Sequence, residues 1–292
     1  MGVGENFNGF CFNLNMSSLT VGTIQYRYKR IVKQINQSYW NSTSETAHGL
    51  YVGSYGRGTE IWTSDIDIIV SLPHAIKQRY DAYVGNGQSA LIQNVKNEIA
   101  KTYPRSKIRG DGQVIVIEFD DGIRFEIVPA FLASDLSSYI YPDTNNGGSW
   151  RVTDPRSEMK AMNELNALKN KNLKRLCRMA RAWKSECNVP INGILIDTLA
   201  YKFLSSVDTY DNTSYYYYDW MSRDFFKYLM ELSLTQQYWY APGSVRKVHK
   251  TGDFQHKAKR AYNKALEAID DEKYPTLSKL AWREIYGSKF AN

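Results

Sequence analysis

Nothing in this chain of 292 residues is apolar for long enough to span a bilayer, which takes about 18 consecutive residues. Cysteine is scarce. Cys11, Cys177 and Cys187 form no close pair of metal-ligand spacing, and an odd number argues against a disulfide framework. The four histidines, His48, His74, His249 and His256, are scattered and read as surface or core residues. The stretch from Met1 to Met16 is rich in Asn and Gly and lacks the basic and apolar regions of a secretory signal, so it reads as a flexible leader. There is no internal repeat. These absences exclude a membrane span, a disulfide scaffold, a zinc site and a repeat array, and they point to a reducing, cytoplasmic setting.

With 43% hydrophobic and 23% charged residues, the composition is that of a soluble globular protein. The length suits one large domain or two lobes sharing a cleft, and two lobes is the reading preferred here. The formal net charge of +7 is unevenly placed. Between Arg151 and Lys184 ten basic residues stand against Asp154, Glu158 and Glu164, which leaves a local surplus of +7. Clustered positive charge suits phosphate-rich ligands, although a solvated helix face has the same composition.

Ser17 to Trp40 carries apolar residues near helical spacing, and Leu50 to Val52 reads as a short strand ending at a Gly53-Ser54 turn. Ile66 to Leu72 reads as a buried strand closed by Pro73, and Ser89 is a candidate cap for the helix carrying Leu91, Ile92, Val95 and Ile99. Gln113 to Phe119 and Ile123 to Phe131 are β-rich runs joined by Asp120-Asp121-Gly122, a hairpin signal. These elements predict a mixed sheet with flanking helices over residues 17–142. Asp143 to Gly148 is turn-rich and reads as a linker into a helical lobe over 143–292. Its expected helices are Ser157 to Glu186, Ile194 to Ser205, Ser222 to Leu234, Phe254 to Asp270 and Thr276 to Tyr286. The run Tyr215 to Tyr218 reads as partly buried packing rather than a base-stacking platform.

Residues two apart in a strand share a face, so Asp65 and Asp67 project side by side while Ile66 and Ile68 enter the core. Two adjacent anions repel unless a cation sits between them, and oxygen-only ligands favour Mg²⁺ or Mn²⁺. A pair of ions roughly 4 Å apart needs a third carboxylate from a neighbouring strand. Glu126 is the candidate, with Glu118, Asp120 and Asp121 as rivals, the last two in the expected turn. At Gly53-Ser54, glycine lets the backbone approach a phosphate and the serine hydroxyl adds a donor. Lys184 continues the apolar face of Leu173, Leu176, Cys177 and Ala180, apart from the basic stripe of Lys171, Lys174, Arg178 and Arg181. An inward lysine there suits an anion, or it snorkels at a helix end. Asn166 is a candidate contact to an acceptor base, with plain surface placement as the alternative.

Taken together, Gly53-Ser54-Tyr55-Gly56-Arg57-Gly58-Thr59, Ser64-Asp65-Ile66-Asp67, Phe125-Glu126-Ile127-Val128-Pro129-Ala130 and Leu173 to Lys184 resemble the polymerase-β-like nucleotidyltransferase superfamily. Within it the chain is most similar to the cyclic GMP-AMP synthase/dinucleotide-cyclase-like (CD-NTase) enzymes of bacterial anti-phage defence, over about Ser17 to Tyr286. The resemblance implies an α+β fold, a nucleotidyltransferase lobe plus a C-terminal α-helical lobe with the active site in the cleft between them. It implies Asp65, Asp67 and Glu126 as ligands of two Mg²⁺ or Mn²⁺ ions, Gly53 and Ser54 at the triphosphate, and Lys184 at the donor phosphates. Family members more often carry Asp at the third position, and the longer Glu126 implies a slightly different metal geometry. The zinc-binding insertion of the animal relatives has no Cys/His cluster to match it, which suggests a bacterial member.

The implied reaction joins ribonucleoside triphosphates into a cyclic di- or oligonucleotide messenger with release of pyrophosphate. A linear oligoadenylate synthase or RNA-tailing enzyme is the alternative on the same core, although 292 residues hold no added RNA-binding module. A protein-modifying transferase is disfavoured because such minimal enzymes are usually shorter. The alternative of another class is an idle protein whose basic stretch binds nucleic acid or a partner, and intact Asp65 and Asp67 argue against it. The expected partners are the triphosphates, a nucleic-acid or protein activator and an effector protein that responds to the product. A monomer with no membrane association is expected.

Overall fold

The computed structural model describes residues 2–62 and 65–290, so Ser64 of the Ser64-Asp65-Ile66-Asp67 motif falls outside the described residues. The segment expected to be flexible is folded instead. Val3–Asn13 forms helix α1, and Phe7, Phe10 and Leu14 have no solvent exposure. Apolar positions 7, 10, 11 and 14 fall on one helix face, and burying that face outweighs the poor helix propensity of the Gly and Asn around them. Phe7 sits 5.1 Å from the ring of Trp282, and Phe10 4.7 Å from that of Tyr286.

The chain divides into two compact units, one of residues 16–57 and 65–157, the other of residues 2–15, 58–62 and 158–290. In the first, helix α2 (Ser18–Tyr39) is capped by Ser17, whose hydroxyl accepts from the Thr20 N–H at 3.0 Å. It buries Ile24, Tyr28, Ile31 and Ile35 at helical spacing. Strand β1 (Gly49–Tyr51), the one-turn helix α3 (Gly53–Arg57) and strand β2 (Ile66–Ser71) follow. Next come α4 (His74–Asp81) and α5 (Gly87–Ala100). Asn86 caps α5 by accepting from the Ser89 N–H at 2.8 Å, so Ser89 supplies the donor and is not the cap.

Strands β3 (Lys107–Asp111), β4 (Val114–Glu118) and β5 (Arg124–Leu132) complete a mixed sheet in the order β1-β2-β5-β4-β3. β4 and β5 form the antiparallel hairpin expected around Asp120-Asp121-Gly122, and β2 runs parallel to β5. The far end of β5 also pairs with β6 (Tyr139–Asp143), which pairs with β7 (Ser149–Thr153). The turn-rich stretch 143–148 is therefore a hairpin loop, not a linker. The unit boundary falls after Ser157, because pairing of β6 and β7 holds both strands in the sheet.

In the second unit the helix expected over Ser157 to Glu186 is two, α6 (Pro155–Leu168) and α7 (Asn172–Glu186). The break lies at Asn170 and Lys171, with φ of 48° and 65°, a left-handed conformation that cannot continue a right-handed helix. Then follow α8 (Gly193–Ser205), α9 (Tyr218–Glu231), a small hairpin of β8 (Tyr238–Tyr240) and β9 (Lys247–His249), α10 (Gln255–Asp270) and α11 (Pro275–Tyr286). Trp183, Phe225, Phe226, Leu199 and Trp282 sit in one continuous core with α1. The segment Gly58–Trp62, which follows α3 in sequence, is a strap belonging to this helical unit, and Ile61 is buried in its core.

Candidate active site

Ile66 and Ile68 are buried in the sheet unit, as the alternation requires, which turns Asp67 to the other face. Because β2 and β5 are parallel neighbours, Asp67 and Glu126 are direct Cα partners. Phe125 and Ile127 are wholly buried, so Glu126 shares the face of Asp67. Asp65 stands one residue before the strand, two from Asp67. The structure thus brings three carboxylates to one end of two adjacent strands. Glu118, paired with Arg109 and with Lys107 at 3.2 Å, and Asp121, paired with Arg27 at 2.8 Å, lie off β5 and neither is a Cα partner of Asp67, which sets Glu126 apart from both.

The backbone closes on this group from β1. The Val52 N–H donates to the Asp67 carbonyl at 2.9 Å, and Gly53 turns the chain with φ +59°. A Cβ on Gly53 would lie 1.8 Å from Asp67 Oδ2, so only glycine can occupy the position without displacing that carboxylate. Ser54 opens α3 beside it, half-buried, and its hydroxyl has no hydrogen-bond partner among the described residues. Tyr55 packs on Tyr51 at 4.8 Å, and Tyr51 stacks on Tyr28 of α2 at 4.1 Å, which steadies the turn.

Burial pushes the Glu126 carboxyl above the ordinary carboxylate range. Asp65 and Asp111 add to that effect, and Arg124 and Arg109 oppose it. Arg124 is a residue of this carboxylate group that the sequence pattern alone did not single out. It lies two positions before Glu126 on the same face, donating from Nη2 to Glu126 Oε1 at 2.6 Å while Nη1 reaches Asp65 Oδ2 at 3.4 Å. A cation spaced i, i+2 from a candidate metal carboxylate was the available signal.

Three hard oxygen donors suit Mg²⁺ or Mn²⁺, and the missing Cβ of Gly53 lets the Asp67 carboxylate lie against the turn, so the chemistry of this donor set fits a divalent ion. As they stand, Arg124 supplies the counter-charge. Among the described residues no three His, Cys, Asp or Glu are drawn together closely enough to hold an ion.

Lys184 and Asn166 belong to the helical unit. Lys184 is half-buried in the last turn of α7, and its ammonium has no hydrogen-bond or ion-pair partner among the described residues. Burial, followed by neighbouring Arg181, holds its pKa below the usual lysine value. Trp183, not Lys184, completes the buried face of α7. Asn166 caps that helix: its Oδ1 accepts from the Lys174 N–H at 3.0 Å, a service Lys171 does not provide from its left-handed N-cap position.

The basic stripe is largely engaged. Arg178 donates to the Glu60 carbonyl and to Glu60 Oε1, both at 3.1 Å, and Lys174 to Asn163 at 2.6 Å. Arg181 Nη2 reaches both oxygens of Asp197 at 2.9 and 2.8 Å. In the tyrosine run, Tyr218 is wholly buried and Tyr216 is 70% exposed, which is partly buried packing as expected.

The family described as Second Messenger Oligonucleotide or Dinucleotide Synthetase domain (SMODS) matches residues 1–166. A curated relative, a probable cyclic nucleotide synthase of Bacillus cereus (strain VD146), is 25% identical over 219 residues, covering 68% of this chain. The chain spans 62% of the length of that relative. Among solved structures, CdnC of E. coli MS115-1 in complex with HORMA-deltaN superposes with a TM-score of 0.71 at 16% identity, covering 99% of this chain and 98% of that one. Vibrio cholerae DncV cyclic AMP-GMP synthase in complex with nonhydrolyzable GTP gives 0.66 at 14% identity, covering 96% and 93%. Both show a shared α+β fold.

Proposed function

This chain belongs to the Second Messenger Oligonucleotide or Dinucleotide Synthetase domain family, and we propose that it is a nucleotidyltransferase joining ribonucleoside triphosphates into a cyclic di- or oligonucleotide messenger. The observation that carries the reading is the register of Asp67 on Glu126, with Asp65 two residues away and Gly53 pressed against the Asp67 carboxylate. We assign Asp65, Asp67 and Glu126 as ligands of two Mg²⁺ or Mn²⁺ ions. When bound, such ions neutralise charge on the triphosphate and lower the pKa of the attacking hydroxyl.

Gly53 and the Ser54 hydroxyl grip the triphosphate, and Lys184, short of an acidic partner among the described residues, supplies positive charge toward donor phosphates. Asn166 has its carbonyl oxygen committed to α7, which leaves its amide N–H groups for an acceptor base. A ribose hydroxyl oxygen bonds to the α-phosphorus of a second nucleotide, the α–β bridge breaks, and pyrophosphate leaves with the electron pair. Glu126, on the same face as Asp67 in the next strand, is the carboxylate placed to take up the hydroxyl proton. Positioning and charge neutralisation supply most of the catalysis.

The test is incubation of the purified chain with Mg²⁺ or Mn²⁺ and all four ribonucleotides. A phosphatase-resistant product with the mass of a cyclic oligonucleotide is expected, and Asp65→Ala and Asp67→Ala should not make it. A phosphatase-sensitive ladder would favour linear synthesis. A product made equally well by Asp65→Ala and Asp67→Ala would refute the reading.

Its setting is the cytoplasm of a bacterium, in anti-phage signalling, with a product-sensing effector protein downstream. For an activator we favour a protein over nucleic acid, because Lys174, Arg178 and Arg181 are held by Asn163, Glu60 and Asp197. The solved complex of CdnC with HORMA-deltaN supports the same preference. A salt-sensitive mobility shift on duplex RNA or DNA would reverse it.

A further inference from the structure

Arg124 has a choice of acidic partners. The residue directly across from it on β4 is Glu118, the ordinary cross-strand partner for an arginine, but Glu118 is bound by Arg109 and Lys107 from β3. Arg124 instead spreads its two terminal nitrogens over Glu126 and Asp65. Its Nε is buried with no hydrogen-bond partner among the described residues, so the guanidinium leaves one donor unmet to hold this pose. Its side chain is 33% exposed, which leaves a path to solvent.

We propose that Arg124 is a built-in counter-cation, which holds Asp65 and Glu126 together in the metal-free enzyme and is displaced when a divalent ion takes those carboxylates. The inference rests on the metal-site reading above. Without a cation, carboxylates gathered at the ends of two adjacent strands repel, and the fork of Arg124 offsets that repulsion. An incoming ion competes for the same oxygens and must also displace a positive charge. Arg124 therefore weakens metal binding while it stabilises the empty site. An arginine serving only as a fold-stabilising ion pair predicts the opposite response of the metal, since removing it would loosen the carboxylates.

The experiment is a Mn²⁺ titration of the nucleotide-free full chain, with free Mn²⁺ counted by electron paramagnetic resonance, alongside thermal melts with and without the ion. Arg124→Gln is expected to bind Mn²⁺ about tenfold more tightly than wild type. Its metal-free Tm should fall, and its Mn²⁺-induced rise in Tm should be larger. Arg124→Lys keeps the charge but loses the fork and should lie between the two. It also serves as the readout if Arg124→Gln does not fold. Asp67→Asn separates the two readings. If it abolishes binding while Arg124→Gln or Arg124→Lys binds no more tightly than wild type, this inference is overturned and the metal site stands. If Asp67→Asn binds Mn²⁺ as wild type does, both fall.

Discussion

The Thr59 hydroxyl donates to Asp197 Oδ2 at 2.9 Å, and neither residue has any solvent exposure. Arg181 Nη2 meets the same carboxylate, the Gly193 carbonyl at 3.0 Å and the Thr59 hydroxyl at 3.2 Å. This network fixes the Gly58–Trp62 strap within the helical unit. Removing one member of a buried pair leaves an uncompensated charge, so Asp197→Ala should cost about 3–5 kcal/mol of stability, read from urea unfolding. Thr59→Val keeps the shape and loses the hydrogen bond, and should cost about 1–2 kcal/mol. Equal, negligible effects would mean that the strap is not held by this carboxylate.

Gly53→Ala is a test of position more than of stability. The added methyl meets Asp67 Oδ2 at 1.8 Å on a backbone already at φ +59°, so the carboxylate must move by an ångström or more. A displacement of that size costs on the order of 10²-fold in turnover. Initial-rate kinetics with a parallel melt should show a loss of kcat out of proportion to the fall in Tm. An active Gly53→Ala protein would remove Asp67 from the reacting centre.

If α1 is part of the core, Phe7→Ala must behave as a core truncation. The ring makes edge contacts with Tyr218, Trp282, Tyr286 and Phe290, and its loss should cost about 3–5 kcal/mol. The exposed Phe12, on the other side of the same helix, should tolerate Ala within about 0.5 kcal/mol. Chemical denaturation of the two variants side by side checks both numbers.

Asp219 gives the helical unit a pH dependence. Burial raises its carboxyl pKa to about 6, Glu272 adds to the shift, and the Trp220 N–H opposes it. A carboxyl raised in the folded state contributes stability that is complete below the unfolded value, near 4, and lost as pH climbs through about 6. The loss by pH 8 amounts to at most about 3 kcal/mol. Asp219→Asn keeps the acceptor for the Trp220 N–H and removes the charge. It should therefore melt above wild type at pH 8 and level with it at pH 4. A variant less stable than wild type at pH 8 would contradict this.

The elements that could be read from sequence are those set by neighbours in the chain. The stripe of Ile24, Tyr28, Ile31 and Ile35 makes α2, and the Asp-Asp-Gly turn makes the β4–β5 hairpin. The carboxylates were legible because Asp65 and Asp67 share a face by strand geometry alone. Helix α1 was hidden by its composition: Gly and Asn disfavour a helix, and only tertiary burial of Phe7 and Phe10 reverses the balance. The loop at 143–148 has the same turn residues whether it joins two domains or two strands. Its role depends on the pairing of Tyr139 with Thr153, which no local pattern encodes. The spacing of Arg124 and Glu126 is a local signal, but the choice of Asp65 and Glu126 over Glu118 depends on strand register and on Arg109.

The parallel pairing of β2 with β5 has a further consequence, in time rather than in space. Asp65 and Arg124 meet at a sequence separation of 59, a far longer loop than the one that closes the β4–β5 hairpin. Closing so long a loop is slow compared with forming α2 or the β4–β5 hairpin. During refolding, helical signal should return first and nucleotide-joining activity last. A half-folded chain, however helical, is chemically silent.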